Sequence, residues 1–206
     1  IDNEILKHLP SELKKGDWDV MIAHFLGIDH CGHKYGPLHP EMSRKLSEMN
    51  QIIEKFIANI DDDTVLIVMG DHGMTYTGDH GGASNDEIEA LLFAYSKKAF
   101  TSSNYDGNAN FIQQIDFTST LATLLGIPIP FSNLGTMSLQ LLPDVGYEDL
   151  KGHELLLMHL WQNARQIRDY FTTSSKDFTK SEIFNVLEQK IKAIKSEKDF
   201  VDFAKE

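Results

Sequence analysis

One cysteine, Cys31, stands in the 206 residues, so no disulfide closes within the chain and cysteine usage says nothing about redox compartment. No run reaches the ~18–20 consecutive apolar residues that a helix needs to cross a bilayer. Positive charge is also scarce. Against 19 Lys and Arg stand 31 Asp and Glu, a net charge of −12, which argues against nucleic acid as a partner because phosphate backbones are held by basic surfaces. The opening residues, Ile1-Asp2-Asn3-Glu4, have neither the basic nor the apolar segment of a secretory signal, and no Met leads them. The expectation is a piece of a longer protein. Internal repeats and low-complexity tracts are absent. The rest suits a globular body: 41% hydrophobic and 24% charged residues, over a length that supports one core.

Apolar patterning divides the chain into alternating elements. Residues 19–26, ending at Gly27, read as a short buried strand. Pro40 then opens a helical pattern, since proline suits the first helical position. Met42, Leu46, Met49, Ile53, Phe56, Ile57 and Ile60 recur there at three- and four-residue spacing. After the turn Asp61-Asp62-Asp63, residues 64–69 form an uninterrupted β-branched and apolar run, as in a strand of a parallel sheet covered on both faces. Strand, loop, helix and strand make a right-handed crossover, with both connecting loops beyond the carboxyl ends of the strands, where ligands bind in open α/β sheets. Residues 89–96 read as a third strand. Asp116 is a candidate N-cap for a helix to Leu125, closed by Gly126 with Pro128 beyond, and Asn133-Leu134-Gly135 is a loop. From about Tyr147 the chain turns helical and charged over 148–171 and 179–206, with Thr179-x-x-Glu182 as a capping box. The expected fold is α/β, a mostly parallel sheet flanked by helices over residues 1–146, with a helical C-terminal appendage over 147–206.

Two glycine-rich loops carry the chemistry. The first is Gly27-Ile28-Asp29-His30-Cys31-Gly32-His33-Lys34-Tyr35-Gly36-Pro37; the second is Gly70-Asp71-His72-Gly73-Met74-Thr75-Tyr76-Thr77-Gly78-Asp79-His80-Gly81-Gly82. Asp29, His33, Asp71, His72 and His80 offer the carboxylate and neutral imidazole donors that zinc accepts. Five donors exceed what one ion needs and suggest a two-metal site of the kind that clamps a phosphoryl group. Asp29 and His33, four apart, converge from a helical turn or a tight loop. Asp71 and His72 are neighbours and would face opposite ways on a regular strand, so both reach a metal only where the chain has left the strand. The plainer reading makes loop aspartates backbone caps and loop histidines solvated groups. It holds for His24 as a packed strand residue, for Cys31 as a small buried packer, and for His153 and His159 as surface groups. His30, His39 and Asp79 are candidates to orient the ligands. Thr75 and Thr77 are weak candidates for a nucleophile.

At these residues the chain resembles the alkaline phosphatase superfamily in its phosphodiesterase and phosphotransferase branch, where Asp-x-x-x-His after one strand and Asp-His-Gly after a later one supply zinc ligands. The resemblance is closer to the GPI ethanolamine phosphate transferases, and the two loops quoted are most similar to the branch acting on the third mannose of the anchor. It covers residues 17 to about 141 and thins through the tail. It implies an alkaline-phosphatase-like fold and two Zn²⁺ per complete site. Asp29, His33 and His80 would hold one ion, and Asp71 and His72 would belong to the other. The missing ligand Asp and a nucleophilic Thr would lie upstream, so no catalytic nucleophile is expected in this chain and the fragment alone is expected to be inactive. The implied donor is phosphatidylethanolamine and the acceptor a GPI glycolipid. The implied place is the endoplasmic reticulum membrane with the catalytic domain lumenal, its membrane segments and a small membrane-protein subunit being outside this chain. Two other readings stay open: a soluble metal-dependent phosphodiesterase or sulfatase-like hydrolase with water as acceptor, and a non-catalytic lumenal binding module.

Overall fold

A computed structural model describes residues 1–98, 100, 111–142 and 150–174. Contacts divide the chain into two compact units, 1–97 and 98–206. The first holds α1 (Asp2–Lys15), α2 (Gly27–Tyr35), α3 (Pro40–Asn59), β1 (Val65–Met69), a single turn α4 (Asn85–Ile88) and β2 (Leu92–Ser96). As expected, Pro40 opens α3, where His39 is the N-cap and its Nδ1 accepts the Glu41 N–H at 3.2 Å. The buried face of α3 is set by Met42 and Ile52, with the C-cap Ile60 buried beyond them, while Leu46, expected in the stripe, is half exposed. With Leu9 of α1 and Cys31 of α2, these residues make the core of the unit. Each large aliphatic side chain so buried stabilises by about 1.5–3 kcal/mol.

A partly buried ion pair ties three helices together. Lys45 Nζ of α3 stands 2.8 Å from Asp2 Oδ2 of α1, and Asp2 Oδ1 accepts the N–H of Leu26, the N-cap of α2, at 3.0 Å. The carboxylate thus satisfies an exposed donor at the start of α2, where a negative charge also complements the helix dipole.

Two expectations about the sheet need correction. Residues 20–26 adopt no strand, and Ile22 is 86% exposed. An apolar run becomes a strand only when a neighbour completes its ladder, and among the described residues none lies along it. β1 pairs with β2, and antiparallel, with Val65 opposite Ser96 and Met69 opposite Leu92. The parallel crossover is therefore not what the described strands make. The connection from Gly70 to Leu91 contains only the one-turn helix α4 and brings the chain back along β1 in the opposite direction. A two-stranded ribbon cannot bury both faces of β1, and Met69 is 41% exposed.

The second unit holds α5 (Gln114–Leu124), a 3-10 turn (Leu139–Leu141) and α6 (Leu150–Ser174). Asp116, expected as N-cap of α5, sits at N3 instead. Gln113 is the N-cap, and its N–H donates to Asp116 Oδ2 at 2.9 Å. Gly126, at φ 64°, follows the helix in the left-handed conformation expected of it. α6 is built into this unit: Asn163 is buried and bonds the 131–138 loop. The helix expected over 179–206, its capping box and the boundary at 146/147 lie outside the described residues.

Candidate metal centre

α2 presents Asp29 and His33 one turn apart on the same face, the arrangement that a four-residue spacing dictates. The 70–82 segment comes to it by close backbone approach. Met74 lies over Gly32, and Gly78, at φ 87°, faces the Gly32 carbonyl so closely that a side chain at either position would collide. Hydrogen bonds fix the segment from both sides. Gly73 N–H donates to the Glu87 carbonyl at 2.7 Å, and Thr75 N–H to the Asp79 carbonyl at 2.8 Å. Past His80, the Gly82 N–H donates to Glu87 Oε1 at 2.8 Å. The Ser84 hydroxyl, then the Gly82 and Ser84 N–H groups, hold the Glu87 carboxyl below its ordinary pKa, with His80 adding a smaller effect.

Four of the five expected donors converge. Asp29 Oδ1 lies 3.4 Å from His33 Nε2 and 3.5 Å from His80 Nε2. The His72 ring stacks on that of His80 at 3.8 Å between centroids, and the His33 ring is 4.9 Å from His80. The tightest three-donor group is Asp29, His72 and His80, whose candidate ligand atoms all fall within 4.8 Å of one another. Asp71 stands at the edge: Oδ1 is 3.7 Å from His72 Nε2 and its side chain is 74% exposed. His72 Nδ1 lies 2.8 Å from the Gly73 carbonyl, an acceptor, so Nδ1 carries the proton and Nε2 keeps its lone pair for a ligand.

This donor set fits a zinc ion. Asp29 Oδ1 is buried and accepts no hydrogen bond, although two imidazole nitrogens face it. A buried carboxylate oxygen left so costs about 1–3 kcal/mol or more. A cation shared with those nitrogens would supply what the oxygen lacks, and one carboxylate with neutral imidazoles is an ordinary zinc set.

Among the other residues singled out, Cys31 is buried and unpaired, as expected. His24 is exposed, because the strand meant to bury it does not form, and His30 is exposed as well. His39 caps α3 and stacks on Tyr35 at 4.8 Å. Asp79 accepts the Thr77 hydroxyl at 3.2 Å, and Thr75 and Thr77 hydroxyls are 3.0 Å apart, so these groups bond within their own turn. His159 is half-buried in α6; the His153 side chain lies outside the described residues. Two supports escaped the sequence reading. Glu87 was legible in Ser84-x-x-Glu87, which is a capping box in the structure. The Asp2–Lys45 pair left no local signal.

Comparison with known proteins decides the family. The model for type I phosphodiesterase / nucleotide pyrophosphatase matches residues 1–113, which include all five candidate donors. The chain belongs to that family. This phosphodiesterase-family chain is 47% identical over 180 residues to the catalytic subunit of GPI ethanolamine phosphate transferase 3 of Homo sapiens, covering 85% of this chain and 16% of the human protein. It is 46% identical over 146 residues to GPI ethanolamine phosphate transferase 3 of Saccharomyces cerevisiae, with 66% and 14% covered. With the enzyme of the same name from Schizosaccharomyces pombe it shares 40% over 187 residues, with 89% and 20% covered. The similarity expected from the two loops is thus found, and the chain spans less than a quarter of each of these relatives. No solved structure matches it. No helix among its described residues is long and apolar enough to cross a membrane.

Proposed function

We propose that this chain is the metal-holding part of an enzyme that moves ethanolamine phosphate from phosphatidylethanolamine to a mannose, the third, of the GPI anchor precursor, on the lumenal side of the endoplasmic reticulum membrane. The observation that supports it is the 47% identity to the human catalytic subunit, in a chain whose family-matched half carries a convergent carboxylate–imidazole cluster. In this reading Asp29, His33 and His80 hold one zinc ion, and Asp71 and His72 belong to the other. Zinc, when bound, supplies a Lewis acid that activates a hydroxyl and neutralises the phosphoryl oxygens.

The chain's own residues prepare that site. Asp29 contributes the half-buried carboxylate, its Oδ1 closed off from water, that offsets a cation's charge. The Gly73 carbonyl selects the His72 tautomer whose Nε2 is a donor. Glu87 and the Thr75–Asp79 turn fix the chain before and after His80. Neither Thr75 nor Thr77 is assigned as nucleophile, since their hydroxyls serve the loop. The attacking Thr and one further Asp ligand belong to upstream residues of the full-length protein, as do membrane attachment and a small membrane-protein subunit to its other parts.

A hydrolase with water as acceptor is the second reading, favoured by the description of the matching family. The test uses the full-length protein, phosphatidylethanolamine labelled in its headgroup, and the GPI precursor. Label on the glycan, lost on chelation and restored by zinc, is the expected result. Free phosphoethanolamine alone would establish the hydrolase instead, and no release at all would end both readings.

A further inference from the structure

Beside the metal centre lies an open cleft of about 490 Å³. His33 belongs to both: it lines the cleft, and its Nε2 is the atom 3.4 Å from Asp29 Oδ1. Two tyrosines line the cleft from different segments, Tyr35 of α2 and Tyr76 of the 70–82 loop. Tyr76 is 74% exposed, so the core gains nothing from it. Around these rings stand polar groups of defined sense. His39 Nδ1 accepts the Glu41 N–H, which leaves the proton on Nε2 and makes that nitrogen a donor. Lys34 Nζ lies 4.9 Å from the centroid of the Tyr35 ring. The Thr77 hydroxyl, donating to Asp79 and accepting the Thr75 hydroxyl, retains one lone pair for a further donor.

Flat aromatic surface mixed with hydrogen-bonding groups suits a molecule with apolar faces and polar edges. A sugar ring has that form: its C–H faces pack on aromatic rings and its hydroxyls both donate and accept. An alkyl chain would cover the Lys34 ammonium, the His39 Nε2–H and the Thr77 hydroxyl and offer none of them a hydrogen bond in place of water. The ammonium of a phosphoethanolamine headgroup would meet the Lys34 charge, which already occupies the neighbourhood of the Tyr35 ring. We propose that this cleft is the acceptor subsite, seating a pyranose ring of the glycan beside the metal centre. Tyr76 contacts a face of the ring, while Tyr35, already stacked on His39, holds that side chain in place, and Lys34, His39 and Thr77 meet the sugar's hydroxyls. The assignment rests on the transfer reading above.

The test replaces Tyr76, whose exposure makes it safe for folding, in the full-length protein. Tyr76→Ala is expected to raise KM for the glycan acceptor about tenfold, the worth of one aromatic contact, with KM for phosphatidylethanolamine and zinc content as in the wild type. Tyr76→Phe, which keeps the ring, is expected to return acceptor KM to within about twofold. An acceptor KM unmoved by Tyr76→Ala, or a rise in the donor KM alone, overturns the assignment. Titration with a free mannose trisaccharide separates this proposal from the reading it rests on. If the wild type transfers nothing yet binds the trisaccharide, and Tyr76→Ala weakens that binding about tenfold, the sugar cleft stands while the transfer reading falls. A wild type that ignores the trisaccharide removes the cleft assignment whatever its activity.

Discussion

The two units treat buried polar groups in opposite ways. In the second unit the 131–138 loop is saturated. Asn163 Oδ1 accepts the Met137 N–H at 2.8 Å while its Nδ2 donates to the Gly135 carbonyl at 3.1 Å. Asp116 Oδ1 accepts the Thr136 N–H at 2.7 Å, the Thr120 hydroxyl accepts the Ser138 N–H at 2.9 Å, and Gln166 donates to the Phe131 carbonyl at 2.7 Å. In the first unit Asp29 Oδ1 is equally out of reach of water and accepts nothing. Its neighbours are imidazoles that present rings and nitrogens to one another. A saturated network asks for no ligand and serves the fold. An unsatisfied carboxylate among imidazoles makes the fold pay for a group that something else must supply.

The sharpest way to break this contrast is to alter both networks. Asp29→Ala in the full-length protein is expected to weaken zinc binding by more than about 100-fold, since it removes a ligand and not merely the ligand's support. Metal analysis after dialysis reads this directly. In metal-free protein the same substitution should leave the melting temperature unchanged or raise it, because the oxygen it deletes has no partner. Asn163→Ala should do the reverse. It strands the buried Met137 N–H, while the Gly135 carbonyl keeps the Ser119 hydroxyl, at a cost of about 1–3 kcal/mol in urea unfolding, with zinc content untouched. Should metal-free Asp29→Ala lose stability as Asn163→Ala does, the distinction between the two networks is wrong.

How much of this was open to reading depends on how local each cause is. Helix α3 and strand β1 follow from periodicity and from Pro40, features confined to a few consecutive residues. Asp29 and His33 share a face because four residues make about one helical turn. The five donors were recognisable by type and by their glycine-rich setting. Their grouping was not: His72 stacks on His80 because the turn from Thr75 to Asp79 folds the segment back, and no spacing rule specifies that. The direction of β2 escaped for a similar reason, since an apolar run of five fits either sense of pairing. Residues 20–26 show the limit most plainly. Composition says what a segment would bury if it had a partner, and only tertiary structure says whether it has one.

The smallest effect is expected of pH, acting on the pair that supports the metal-bearing helix. Burial alone would raise the Asp2 carboxyl, but the Lys45 ammonium and the Leu26 and Gly27 N–H groups outweigh it and hold it below its ordinary 3.8. Burial likewise tends to lower the Lys45 ammonium, and Asp2 and Glu48 outweigh it, leaving Lys45 above its ordinary 10.5. A carboxyl depressed in the folded state contributes stability that is present above its unfolded pKa and lost as pH falls through the folded one. A raised ammonium contributes below its unfolded pKa and loses that contribution as pH rises through the folded one. The pair is therefore whole between about pH 4 and about pH 10 and fails on either side. Acid titration below about pH 4 should loosen the Leu26 amide, seen as faster hydrogen exchange, before the second unit responds. Asp2→Asn should shorten that acid limb, because it removes the group whose protonation is linked to folding. If wild type and Asp2→Asn lose stability with the same slope on acidification, the pair does not anchor α2, and the placement of Asp29 and His33 must come from the Gly32–Gly78 approach alone.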